Sequence, residues 1–160
     1  MSEAWRDGLT LRLAVEDDVP GLAALYARTA AELGPQVYNT QQVKAWQRFG
    51  QDTPAFRHYV LSARTWWLAD PRGALGFCGI DDEGEVHSLY VRFDAGQRGL
   101  GTRLLDHALA DARSRGVVRF GAWATPFSLP VFARAGLALR RTVRESFQGI
   151  EFERYRVATD

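Results

Sequence analysis

The sequence predicts a mixed α/β fold of the α+β kind, with a central, mostly antiparallel sheet of about seven strands flanked by helices. Three observations carry this expectation. Short apolar runs and amphipathic stretches follow one another in the order β-α-α-α-β-β-β-α-β-α-β-β. Tight-turn sequences at Asp70-Pro71-Arg72-Gly73, Asp81-Asp82-Glu83-Gly84 and Gln148-Gly149 join neighbouring strands antiparallel. A strand-like run from Leu89 to Phe93 enters a glycine-bearing turn, which opens a strongly amphipathic helix from Arg103 to Arg115.

Each element has a local reason. Leu9 to Leu13 alternates apolar and polar residues and reads as a strand. Asp17 is the expected cap of the first helix, with Pro20 in its first turn. That helix aligns Leu22, Leu25, Tyr26, Thr29 and Leu33 on one face and ends at Gly34-Pro35. Asn39 or Thr40 caps a second helix through Phe49, and Pro54 starts a third that runs to about Ser62. Strands are expected at Trp66–Ala69, Leu75–Ile80 and Glu85–Arg92. After the long helix come a strand at Val118–Ala124 and a short helix from Ser128 to Ala135, closed by Gly136. A final hairpin pairs Ala138–Phe147 with Ile150–Val157. No linker or repeat interrupts the pattern, so residues 1–160 are expected to form a single domain.

Bulk properties narrow the function classes. The chain has 160 residues, a hydrophobic fraction of 46% and a formal net charge of +1, which fits one packed core and gives no bulk drive toward nucleic acid. Arginine supplies nearly all the positive charge, since Lys44 is the only lysine, and many arginines fall between Arg92 and Arg144. That distribution suits a local anion site near the glycine turn. Cys78 is the only cysteine and sits in an apolar run, so it is expected to be a buried strand residue. His58, His87 and His107 show no metal-ligand spacing, and no metal is expected. No apolar run approaches the roughly 18 residues of a membrane span, and the N-terminus does not resemble a signal peptide, so a cytoplasmic protein without membrane attachment is expected.

The glycine turn is the most specific feature. Gly99 and Gly101 leave room for backbone N–H groups to approach a ligand, and a helix start adds unpaired N–H groups and the positive end of a dipole. Together they suit an anion, and a diphosphate above others. A Walker A loop is excluded because Thr102-Arg103 follow Gly101 with no lysine. A dinucleotide fingerprint fails at its third glycine, where Leu104 stands. The remaining pattern is an acyl-CoA loop.

In this respect the chain resembles the GNAT N-acetyltransferase superfamily. The family motif Q/R-x-x-G-x-G/A falls on Gly96-Gln97-Arg98-Gly99-Leu100-Gly101, with Gly96 a departure from Gln or Arg. Phe132-Ala133-Arg134-Ala135-Gly136-Leu137 resembles the later family signature Tyr-Glu-Lys-x-Gly-Phe. The segment Val37 to Trp46 and the Pro130-x-Phe132 spacing are similar to the YafP-like bacterial subgroup. The resemblance extends over almost the whole chain. It implies a sheet splayed between its fourth and fifth strands (85–92 and 118–124), with the pantetheine arm of acetyl-CoA lying alongside the fourth.

The resemblance also implies roles. Backbone N–H groups from Arg98 through Gly99, Leu100 and Gly101 to Thr102 would hold the diphosphate, with the Gln97, Arg98 and Arg103 side chains assisting. Backbone at Leu89, Tyr90 and Val91 would pair with the pantetheine, and the N–H of Tyr90 or Val91 would polarise the thioester carbonyl. Thr125, Ser128 and Phe132 complete the cofactor contacts. Regular strand alternation places Glu85, His87, Leu89 and Val91 on one face, and both Glu85 and His87 stand where family members carry a general base. His87 ranks first because a neutral imidazole is available near pH 7. Phe132 occupies the place of the usual tyrosine acid, which leaves Ser128 or Tyr90 to protonate the thiolate, or no donor. Tyr38, Trp46, Trp66 and Phe147 are the expected acceptor walls; aromatic walls suit an aromatic or cationic amine. The implied activity is direct transfer of acetyl from acetyl-CoA, as co-substrate, to a small-molecule amine. The family pattern also allows a homodimer. Two other readings compete: a non-catalytic acyl-CoA-binding module, favoured by Phe132 and Gly96, and a nucleic-acid-binding domain, favoured only by the arginines.

Overall fold

The computed structural model describes residues 2–4, 8–92 and 99–160, with side chains from residue 8 onward. Its core is a mixed eight-stranded sheet in the order β1-β2-β3-β4-β5-β6-β8-β7. The strands are β1 (Ser2–Ala4), β2 (Thr10–Leu13), β3 (Arg64–Asp70), β4 (Gly73–Ile80), β5 (Glu85–Val91), β6 (Gly121–Ala124), β7 (Ala138–Phe147) and β8 (Ile150–Ala158). The helices are α1 (Val19–Leu33), α2 (Thr40–Arg48), α3 (Pro54–Leu61), α4 (Leu100–Ser114) and α5 (Leu129–Arg134). All strand pairs are antiparallel except β5 with β6, which is parallel. The seven expected strands and their mostly antiparallel order are all present. The addition is β1, a three-residue strand that extends the edge beyond β2.

Helices cover both faces, and each face has its own core. On one side, Leu75, Cys78 and Ile80 of β4 pack with Leu100, Leu104, Leu105 and Leu109 of α4. On the other, Phe77 of β4 packs with Leu22 and Tyr26 of α1, Trp46 of α2 and Phe56 of α3. A strand feeding two helical layers is apolar throughout, and a bulge at Leu75, the extra residue between the Leu68–Gly76 and Ala69–Ala74 pairs, puts Leu75 and Phe77 on opposite faces. Cys78 is fully buried, and burial pushes its thiol well above the ordinary range, so it is an inert packing residue. No helix among the described residues is long and apolar enough to cross a membrane.

Element ends show where local signals were outweighed. Asn39, rather than Thr40, caps α2: its side chain accepts from the Gln42 N–H at 2.8 Å while the Gln42 side chain accepts from the Asn39 N–H at 3.0 Å. Asp17 is not a cap. Residues Glu16–Asp18 form a 3₁₀ turn, and Asp18 immediately precedes α1 without a side-chain capping bond. Its carboxylate instead accepts two bonds from Arg12, at 2.7 and 2.6 Å. Helix α4 starts three residues earlier than Arg103, since Gly99 turns the chain with φ +71° and sends Leu100 into the core. Strand β6 starts three residues later than Val118, which is 81% exposed and outside the pairing with β8.

Candidate active site

The parallel seam between β5 and β6 is two residue pairs long, Glu85 with Gly121 and Val86 with Ala122. Beyond it the strands part and leave the remaining edge of β5 open. The polarity of that edge follows from the other side of the strand. The Arg92 N–H donates to the Leu75 carbonyl at 2.7 Å, and Tyr90 stands opposite Phe77, two positions along. Antiparallel ladders alternate hydrogen-bonded and non-bonded pairs, so the Tyr90 N–H points at β4. The N–H groups of Leu89 and Val91 point into the cleft. Of the two amides expected to face a thioester carbonyl, only that of Val91 is directed there, and the Tyr90 amide is ruled out by the ladder.

Strand β5 is not regular. Gly79 pairs with Ser88 and Ile80 with Val86, so one step on β4 spans two on β5 and His87 is the extra residue of a bulge. The bulge undoes the expected single face. Val86, Leu89 and Val91 pack in the α4 core. His87 instead lines a cavity on the α1–α3 side with Tyr26, Trp46 and Tyr59, and it also borders the cleft between the parted strands. The Asp81 carboxylate meets the ring: Oδ2 lies 2.8 Å from Nε2. Glu85 is engaged differently. Its Oε2 and Oε1 accept from the Arg156 guanidinium at 2.7 and 2.9 Å, a bidentate pair that occupies both oxygens.

The open β5 edge forms one wall of a channel of about 360 Å³. Leu89, Tyr90, Val91, Gly101, Thr125 and Ser128 line it, and Phe132 borders the adjoining cleft. At its mouth Gly99 adopts the left-handed conformation just before α4, and the first intrahelical donor is the Arg103 N–H, bonding the Gly99 carbonyl at 3.1 Å. The amides of Leu100, Gly101 and Thr102 therefore precede the helical ladder and have no intrahelical carbonyl to bond. The Leu100 side chain is buried in the core, so only its backbone can serve a ligand. Thr102 and Arg103 follow on the first turn, while Gln97 and Arg98 lie outside the described residues. Ser128 and Thr125 are tied together: the Thr125 N–H donates to Ser128 Oγ at 3.0 Å, and their hydroxyl oxygens are 3.3 Å apart. Thr29 of α1, not expected from the sequence as a site residue, also lines the channel. Its Oγ1 is buried with no hydrogen-bond partner among the described residues.

The cavity beside His87 holds about 250 Å³. Tyr38, Trp46 and Phe147 line it, and it shares Trp46, Tyr90 and Thr125 with the channel. Burial raises the Tyr90 phenol above the usual range, and the neighbouring Tyr59, Tyr26 and Trp46 side chains offset this only in part. Burial likewise raises the phenols of Tyr26, Tyr38 and Tyr59. All four therefore stay neutral hydrogen-bonding groups near pH 7.

Trp66 is elsewhere. It is buried on the α4 side, with its ring 4.4 Å from that of His107, while Trp67 lies under the Arg12 guanidinium on the opposite face. Residues missed in the sequence include Phe127, stacked on Trp46 at 6.1 Å, and Trp123, Glu153 and Arg154 at the cavity rim. The alternation of β8 was the available signal for Phe152 and Arg154. Some of the arginines between 92 and 144 lie away from the glycine turn: Arg115 bonds Asp82 beyond the far end of α4, and Arg140 bonds Asp160 at the C-terminus.

A splayed mixed sheet, an open strand edge and a glycine-opened helix are together one architecture. The model of the acetyltransferase (GNAT) domain matches residues 35–159. The chain belongs to the GNAT acetyltransferase family. No curated protein sequence matches this GNAT domain. Solved structures do resemble it. A GCN5-related N-acetyltransferase from Rhodopseudomonas palustris superposes with a TM-score of 0.86 at 22% identity, covering 93% of each chain. The PaiA N-acetyltransferase of Thermoplasma acidophilum, solved in complex with coenzyme A, has a TM-score of 0.75 at 12% identity over 94% of this chain and 98% of that one. YncA of Salmonella typhimurium, a putative acetyltransferase solved with acetyl-CoA, has a TM-score of 0.64 at 17% identity over 94% of this chain and 92% of that one. At these identities the likeness is one of fold.

Proposed function

We propose that the chain is a single-domain, cytoplasmic N-acetyltransferase that moves the acetyl group of acetyl-CoA to the amine of a small molecule with an apolar or aromatic body. The observation that carries this reading is His87. The bulge sets its ring where the open-edged cleft meets an aromatic cavity, so a cofactor thioester and an amine entering from opposite sides would meet beside a base. Coenzyme A fits the residues present. Its diphosphate suits the amides of Leu100 to Thr102, the pantetheine amides suit the open Leu89 and Val91 groups, and the partnerless Thr29 hydroxyl faces the channel. The Val37–Trp46 segment favours the YafP-like subgroup, and Tyr38 and Trp46 would contribute to the acceptor wall.

His87 serves as general base in preference to Glu85, whose lone pairs are engaged by Arg156. The Val91 amide supports the developing oxyanion. The leaving thiolate takes its proton from solvent or from a cleft hydroxyl, Ser128 or Tyr90. The test is thiol release from acetyl-CoA with a panel of arylalkyl and aliphatic amines. Turnover that favours aromatic amines, and falls about 100-fold in His87→Ala with acetyl-CoA affinity by calorimetry unchanged, is expected. Tight acetyl-CoA binding without turnover on any amine would instead establish an acyl-CoA-binding module.

A further inference from the structure

The two oxygens of Asp81 have separate work. Oδ1 accepts the backbone N–H groups of Glu83 and Glu85 at 2.9 and 3.0 Å, which closes the turn between β4 and β5. Oδ2 faces His87 Nε2 at 2.8 Å. An ionised carboxylate has only lone pairs to offer, so the bonded ring nitrogen must carry the hydrogen. Burial pushes the Asp81 carboxyl upward, but the bonds from His87 and from the Glu85 and Glu83 amides outweigh it and hold the group ionised well below neutrality.

We propose that Asp81 is a positioning residue that locks His87 in its Nε2–H tautomer and leaves Nδ1 as the ring's basic nitrogen. This rests on the reading of His87 as general base. In the step that follows, one ammonium proton passes to Nδ1, directly or through one water, and the freed nitrogen lone pair bonds to the acetyl carbon. The carbon–sulfur bond then breaks, its electron pair leaves on sulfur, and the thiol forms by proton transfer from solvent or the cleft hydroxyl, which the second nitrogen proton replaces. The imidazolium that forms sits against the Asp81 carboxylate and returns its proton to solvent. The other ionisable groups around the ring are Tyr26 from α1, Tyr38 before α2, Tyr59 from α3, Tyr90 on its own strand, and Glu153 and Arg154 from β8. The Glu85–Arg156 pair lies two residues away. Among the described residues, Asp81 is the group hydrogen-bonded to the imidazole.

The decisive variant is Asp81→Asn. Its Oδ1 keeps both turn bonds, while its amide presents hydrogens to Nε2, favours the Nδ1–H tautomer and removes the basic nitrogen. The expected result is a fall in kcat of roughly 10- to 100-fold with the KM for acetyl-CoA unchanged and the melting temperature only slightly lowered, since both turn bonds remain. Loss of the carboxylate should also move the acidic limb of the kcat profile to lower pH. A second readout does not depend on the variant: nitrogen NMR of the wild-type protein, assigned against His87→Ala, should report an Nε2–H neutral imidazole at His87. An Nδ1–H signal there overturns the proposal. So does an Asp81→Asn enzyme with wild-type kcat and pH limb while His87→Ala is inactive, a pattern that leaves the base in place. Full activity in His87→Ala removes the base itself, and the proposal with it.

Discussion

Thr29 shows how one side chain separates stability from binding. A buried hydroxyl without a partner costs about 1–3 kcal/mol, and its Oγ1 is such a group on the channel wall. Thr29→Val should therefore melt at the same temperature or higher while its KM for acetyl-CoA rises several-fold. A lower melting temperature with an unchanged KM would mean that the hydroxyl serves the fold alone. Neither Thr29 nor Asp81 was legible as a site residue in the sequence. A threonine on an apolar helix face reads as packing, and an Asp in an Asp-Asp-Glu-Gly run reads as turn chemistry. Trp66 and Trp67 were legible as a strand pair facing opposite ways, but no local signal says which face holds the cavity. That depends on α4 and α1 packing against the two sides.

Among the elements, the succession of β5, glycine turn and α4 was the most legible, because a β-rich run followed by glycines and an amphipathic helix leaves few alternatives, although the helix begins three residues before Arg103. The bulge was not legible. Period-two reading assumes an unbroken pleat, and the extra residue at His87 is created by pairing with Gly79 and Ile80 on β4. The helix start carries its own test at Gly101. Among the described residues a methyl group there meets only the Val91 side chain, at 3.6 Å, in an ordinary contact. Gly101→Ala should therefore stabilise the free protein by about 0.5–1 kcal/mol through helix propensity. The same methyl should weaken acetyl-CoA binding in calorimetry, because it stands where the cofactor backbone would approach the amides. Equal affinity in both proteins would move the diphosphate away from this turn. Gly99 is a different case, since its φ of +71° strains any other residue even without a ligand.

For the whole molecule, several carboxylates set the acid limit. Asp18 is held below its ordinary range mainly by the Arg12 hydrogen bonds. At Asp81 and Asp111 burial acts upward, but bonds from His87 and the turn amides, and from Arg64, outweigh it. Depressed native values mean that the unfolded chain binds protons first as pH falls. Their stabilisation is thus complete above the unfolded carboxylate value near about 4 and is lost as pH drops through the native values. The melting temperature should be level from pH 8 to 5 and fall below about pH 4. Asp18→Asn should cost about 1 kcal/mol at neutral pH and shallow that fall; an unaltered acid limb would remove Asp18 from the set.

The same molecule is unequally tolerant of length changes. Its two cores are kept apart by a strand whose upper and lower halves are out of phase by one residue, at His87. Substitution there alters chemistry and leaves the phase alone. Excising that residue would straighten the strand and force a choice: either Leu89 and Val91 swap sides with Tyr90 and forfeit the α4 packing, or Val86 and Glu85 do so and unpick the seam with β6. A one-codon loss at this place should be far more damaging than any single replacement.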